Sequence, residues 1–246
     1  MTNYIGSNTL SKILLNGTPI KKAFLGAQQV FSSGPSLKSF STKVGTSGTS
    51  MVIDAPSGIS VGDLLLMTIT SDGTETYTAP AGWTSYFQQY SGGGSSDTLE
   101  VFYKFADAAD VAASNFTFSI SSSEAHCGSM LCFTGSKDAP QGYSSGGKGS
   151  GSGSLTNSVS LAHSDGSLAV AIVAYEYPSE ELTADPASNN GFTEVVDIAS
   201  SVTGSTIHQR LHVYTKDIET AETVVASHAM QNLYRRIYAL IEIEGA

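Results

Sequence analysis

The segment HQRLHVY places two histidines, His208 and His212, four residues apart. On a strand that spacing puts both imidazoles on one face, as a pair of metal ligands would need. Arg210 shares that face, and a cation between two ligands opposes a metal. Solvated side chains are therefore expected there, opposite the apolar Leu211 and Val213. Cys127 and Cys132 lie in HCGSMLCF. Five residues of strand span roughly 16 Å and send the two thiols to opposite faces. No disulfide joins them, because bridged Cα atoms lie only about 4.4–6.8 Å apart. With no second cysteine pair, both read as buried free thiols. Acid pairs at Asp107/Asp110 and Glu180/Glu181 could serve glycoside hydrolysis or hold calcium. Their segments lack the alternating Asp/Asn pattern of a calcium loop, so surface charge is the expectation. No GxSxG, HExxH, P-loop or GxGxxG before a helix occurs, and the Gly-rich runs alternate with Ser and lead into strands. The expectation is a non-enzymatic chain with no catalytic residue, cofactor or metal.

Aromatic and basic side chains are the remaining groups with binding chemistry. Tyr86 and Tyr90 in YFQQY, and Tyr175 and Tyr177 in AYEYPSEE, flank Gly-rich or acidic loops. Sugar rings stack on such surfaces, so these four tyrosines are candidate glycan contacts; the competing role is packing with the hydroxyl in water. Trp83, the single tryptophan, follows a Pro and a Gly in APAGWTSY. The first 43 residues contain five lysines and no acid, whereas the remainder contains seven basic and 22 acidic residues. An acidic body repels phosphate backbones, which argues against nucleic acid as a partner. Lys12, Lys21 and Lys22 make the N-terminal segment a candidate docking piece for another acidic surface. Folding back on its own acidic body is the alternative.

Strands must position these groups. Charged residues make up only 14% of the chain and hydrophobic ones 40%, with abundant Gly, Ser and Thr. This composition predicts an all-β fold of short strands. No apolar run reaches the ~18 residues of a membrane span, and MTNYIGSNTL lacks a signal-peptide pattern. A soluble protein made in the cytosol is expected. Residues 1–34 carry the hairpin signal Asn16-Gly17 and predict a small three-strand module, too small to hold a core alone. Residues 35–37 read as a linker, and 38–246 as the main body.

The body contains an internal repeat, 45–135 and 149–245. VGDLLLMTIT parallels DGSLAVAIVA, LEVFYK parallels LHVYTK, and HCGSMLCFTG parallels RIYALIEIEG. Aligned on the closing glycine, Cys127, Leu131 and Phe133 match Ile237, Ile241 and Ile243 and form a core face. The opposite face pairs His126 with Arg236 and Cys132 with Glu242, and reads as partly wet. Trp83 matches Phe192, each followed by Thr, so Trp83 reads as a core plug at the sandwich end. The predicted fold is an antiparallel two-sheet β-sandwich, jelly-roll-like, built from the two pseudo-repeats as a single body.

The order VGDLLLMTIT, TAPAGWTSY, LEVFYKFADAAD, FTFSISS, LCFTG resembles a β-sandwich domain of tailed-bacteriophage structural proteins. ILLNGTPIKKAFLGAQQVF is similar to a short module that begins many phage tail and virion proteins. The resemblance implies a virion component without catalytic activity, a capsid decoration or a tail or neck appendage. It would be made in the host cytoplasm and docked on other virion proteins through its N-terminal segment, with the sandwich facing outward. By analogy with phage appendages, a homotrimer is expected. A carbohydrate-binding adhesin that touches host glycans is the alternative.

Overall fold

The computed structural model describes residues 13–15, 18–20, 22–25, 28–32, 34–92, 96–148, 155–177, 191–200, 208–230 and 235–245. Four short strands open the chain: β1 (Ile13–Leu15), β2 (Thr18–Ile20), β3 (Lys22–Leu25) and β4 (Gln28–Ser32). They form two separate hairpins, with Leu15 opposite Thr18 and Leu25 opposite Gln28. Among the described residues the N-terminal segment thus has four strands where three were expected, paired two by two.

The first half of the body runs β5 (Ser36–Gly45), β6 (Ser50–Asp54), β7 (Leu64–Ser71), β8 (Tyr77–Thr78), β9 (Thr84–Tyr90) and β10 (Thr98–Phe105). A single helical turn, α1 (Ala108–Ala112), precedes β11 (Asn115–Ile120) and β12 (His126–Thr134). The second half runs β13 (Gly142–Lys148), β14 (Leu155–His163), β15 (Leu168–Tyr177), β16 (Thr193–Ala199), β17 (His208–Asp217), β18 (Glu222–Met230) and β19 (Arg235–Ile243). All sheet pairings are antiparallel. One five-stranded sheet has the order β5-β12-β7-β10-β9 and the other β13-β19-β15-β17-β16. With the two-residue β8 left out of the count, the two orders correspond strand for strand.

The two large sheets pack face to face. Leu64, Leu66, Leu99, Val101, Leu131 and Phe133 of one interleave with Val170, Ile172, Val213, Ile237, Ile241 and Ile243 of the other in one buried cluster. This is the predicted sandwich, but its outer faces are also covered. The sheet β6-β11-β8 lies over the first, burying Met51, Ile53, Phe116 and Phe118 against Leu65, Met67 and Met130. The pair β14-β18 lies over the second, burying Val159 and Val224 with Ala171, Val173 and Leu240. The molecule is therefore four layers deep. Every residue of β7, LLLMTITS, is buried, the pattern of a strand enclosed on both faces.

Covering both faces corrects the expected wet side of β12 and β19. Cys132, His126, Arg236 and Glu242 are all buried. Three of them find polar partners inside: His126 Nδ1 meets the Glu124 carbonyl at 2.9 Å, Cys132 Sγ meets Asp63 at 3.5 Å, and Glu242 accepts from the Ser164 amide, whereas Nε and Nη2 of Arg236 have no hydrogen-bond partner among the described residues. The flat approach of the His126 ring requires Gly45 opposite it, where any Cβ would fall 2.1 Å from Nε2. The thiols divide as predicted, Cys127 in the central cluster and Cys132 in an outer one, both free. Across the sandwich β9 lies against β13 and β16 against β5. Among the described residues no helix is long and apolar enough to cross a membrane.

Candidate functional site

Edge strand β16 holds the most chemically varied group of side chains. Residues three apart on a regular strand point to opposite faces. The register of β16 against β17 shifts between Glu194 and Val196, a bulge that inserts Val195. The extra residue turns Glu194 and Asp197 to the same face, where both meet His212 of β17. His212 Nδ1 lies 2.9 Å from Glu194 Oε1, and Nε2 lies 3.6 Å from Asp197 Oδ1 and 3.2 Å from the Tyr175 hydroxyl. The imidazole is fully buried, with its ring parallel to Tyr175 on one side and Tyr214 on the other. Arg210 grips Asp197 with Nε at 2.8 Å and Nη2 at 2.6 Å.

Burial lowers the His212 pKa, and the Glu194 hydrogen bond and the Asp197 charge offset that only in part, so the ring is neutral at neutral pH. A carboxylate only accepts, which puts the proton on Nδ1 and leaves Nε2 to accept from Tyr175. Asp197 is held below its ordinary pKa: burial opposes this, but the Arg210 hydrogen bonds and the facing imidazole outweigh it.

The first half has the same socket with different contents. The register of β9 against β10 shifts at the corresponding place, between Val101 and Phe102. Ser85 and Gln88 thereby converge on buried Glu100, at 2.7 and 3.1 Å. Here the central group is an acceptor ringed by donors; in β16 it is an imidazole ringed by carboxylates. Burial raises the Glu100 pKa, against the hydrogen bonds that favour its ionised form.

A third polar group ties the halves together at one end of the central layer. Gln209 of β17 donates to Asp97 Oδ1 at 3.0 Å. Arg235 reaches Asp72 at 3.1 Å, Asp97 at 3.6 Å and Glu176 at 3.1 Å. Asp97 is fully buried and its Oδ2 has no hydrogen-bond partner. Burial, joined by the Glu176 charge, pushes its pKa up to about 7, although Arg235 and Gln209 pull the other way.

The candidate glycan tyrosines do not form one surface. Tyr175 is buried beside His212, which removes it as a sugar platform; the outer layer covers the face the sequence left open. Tyr86 is half-buried, edge-on to Tyr103 and Tyr143, and burial pushes its pKa up to about 12. Tyr90 is exposed and its hydroxyl donates to Gln88. Tyr177 ends β15, opposite His208. Lys12 and Lys21 lie outside the described residues, as do Glu180 and Glu181, while Lys22 opens β3 opposite Ser32.

Asp107 and Asp110 form the capping box of α1 and share Lys104, so that acid pair is structural. Trp83 packs edge-on against Phe116 and Phe118 at 5.6 and 5.3 Å, the plug expected of it. His212, expected in solvent, is buried. The spacing Glu-x-x-Asp in β16 was the available signal, and only a bulge makes it converge.

The chain matches no family model, no curated protein and no solved structure. Among the described residues, Glu194, Asp197 and His212 are the one set of three acidic, histidine or cysteine side chains close enough to share a metal ion.

Proposed function

We propose that this chain is a non-enzymatic structural component of a tailed-phage particle, docked through its N-terminal segment with the acidic sandwich facing outward. The supporting observation is what its phage-like motif residues do in the fold. In VGDLLL, the Gly62 amide donates to Ala106 and the Asp63 carbonyl accepts from Ala106. Asp63 also pairs with Lys38 at 2.8 Å. In PAGWT, Gly82 takes a left-handed φ of 86° that turns Trp83 onto Phe116 and Phe118. In VFYKFADAAD, Lys104 is clamped by Asp107 and Asp110. These residues hold turns and layers together, as befits a scaffold whose motifs are architectural.

The test compares the full chain with a variant lacking residues 1–34 for co-sedimentation with tailed particles from the cells that encode it. Docking requires that the full chain travels with particles and that the truncated one, folded by circular dichroism, stays behind. A full chain found only in the soluble fraction refutes the assignment. Light scattering on the full chain checks the trimer.

One observation favours glycan contact as a second reading. Tyr143 stacks on Phe87 at 4.5 Å beside Tyr86, and is itself about half exposed; Tyr90 is exposed too. A glycan array probed with the full chain, and with Tyr143→Ala, tests that surface; a blank array removes it.

A further inference from the structure

We propose that Glu194, Asp197 and His212 bind one first-row divalent cation, with zinc the ion of best fit. The three ligand atoms lie within 4.8 Å of one another. Nδ1 and Glu194 Oε1 are already 2.9 Å apart, against about 3.3 Å between two ligands of a tetrahedral zinc with bonds near 2.0–2.1 Å. Only the Asp197 carboxylate has to move inward. The approach is open on the solvent side, where the Asp197 side chain is about one-third and that of Glu194 about two-fifths exposed. The same exposure leaves the remaining coordination position open to water.

The surroundings have the form of a metal site's outer shell. A ligating histidine commonly donates its second ring N–H to a neighbouring oxygen, which fixes its orientation. With the ion on Nδ1, the imidazole proton moves to Nε2 and points at the Tyr175 hydroxyl, 3.2 Å away. The ring stays neutral, and no proton is lost from it. Parallel packing between Tyr175 and Tyr214 prevents the ring from turning. Arg210 holds Asp197 through one lone pair on each oxygen, leaving another on each for the ion. Two carboxylates against one guanidinium leave the site net negative before the ion arrives. One imidazole with two carboxylates suits zinc, cobalt or nickel rather than magnesium or calcium, which prefer oxygen alone. The ion would clip the edge strand β16 to β17 across the bulge. The socket of the first half, Ser85, Gln88 and Glu100, has one carboxylate and no imidazole, so it serves as an internal control.

The experiment uses the full chain without an affinity tag and adds zinc alone, measured by competition with a chromophoric chelator. One ion per chain is expected. Glu194→Gln and His212→Gln should each weaken binding by about tenfold or more, and Tyr175→Phe by about tenfold as an outer-shell loss. Ser85→Ala should leave affinity and stoichiometry unchanged. Cobalt should give a visible absorption band in the parent that Glu194→Gln lacks. Melting in chelator shows which variants fold. Should His212→Gln fail, Glu194→Gln decides, because its side chain reaches into solvent. No stoichiometric ion at excess zinc, or equal binding by Glu194→Gln and parent, overturns the proposal.

Discussion

Replacing Asp97 by Asn should flatten the pH dependence of stability in a defined window. Asp97 is buried where the two halves meet, and its pKa rises from the ordinary 3.8 to about 7, chiefly through burial. The folded state therefore holds the proton more tightly than the unfolded chain does. Its contribution to stability is fully present below the unfolded pKa and is lost as pH rises towards the folded one. A displacement of about three units at roughly 1.36 kcal/mol each gives about 4 kcal/mol, lost between about pH 4 and pH 7. Asn keeps an oxygen for the Gln209 amide and has no charge to desolvate, while Arg235 retains Asp72 and Glu176. Urea denaturation of both proteins at steps from pH 4 to 8 reads this group with its charged neighbours Glu176, Asp72 and Arg235, because the titrations of groups away from Asp97 cancel in the difference. With a slope of about 2–3 kcal/mol per molar, the gap between their midpoints should change by about 1.3–2 M across the window. Parallel curves would show that the Asp97 carboxylate does not carry the charge conflict assigned to it.

Trp83→Ala should lower stability by about 3 kcal/mol, the low end for a buried aromatic because the indole is half-buried, as read from a denaturation midpoint. Gly147→Ala places a Cβ 2.1 Å from the Tyr90 carbonyl, where β13 crosses β9, and should cost about 1–3 kcal/mol in the same assay. A loss below that at this contact would show that the strands can part without penalty. Burial pushes the Cys127 and Cys132 thiols up to about 12, so neither should react with a thiol reagent at pH 8 until the chain is unfolded.

The central layer was legible because strand alternation is a direct record of burial. Leu99 and Val101, Leu211 and Val213, and the odd-numbered residues of β19 from Ile237 onward all face the shared core. The outer layers were not legible, because alternation reports polarity and not cover. His126, Arg236 and Glu242 look wet in sequence, yet lie under a second sheet. The site was legible only as separate parts. Arg210 and His212 do share a face as their spacing implies, but Glu194 and Asp197 reach that face through a bulge, which adds one residue to the count without a composition of its own. Tyr175 shows the same limit: its neighbours in sequence suggest a loop surface, whereas its register against Arg210 and Arg236 places it mid-sheet.

The matching strand orders of the two large sheets have a consequence for how the molecule can vary. A symmetric dimer of chains half this length would express every substitution twice, once in each subunit, and could not give its two bulged edges different contents. A single chain carrying both halves escapes that constraint. One edge holds Ser85, Gln88 and Glu100 as a closed hydrogen-bonded socket, and the other holds Glu194, Asp197 and His212. Covalent linkage also makes the pairing of halves independent of protein concentration, so either edge can change without the assembly dissociating on dilution.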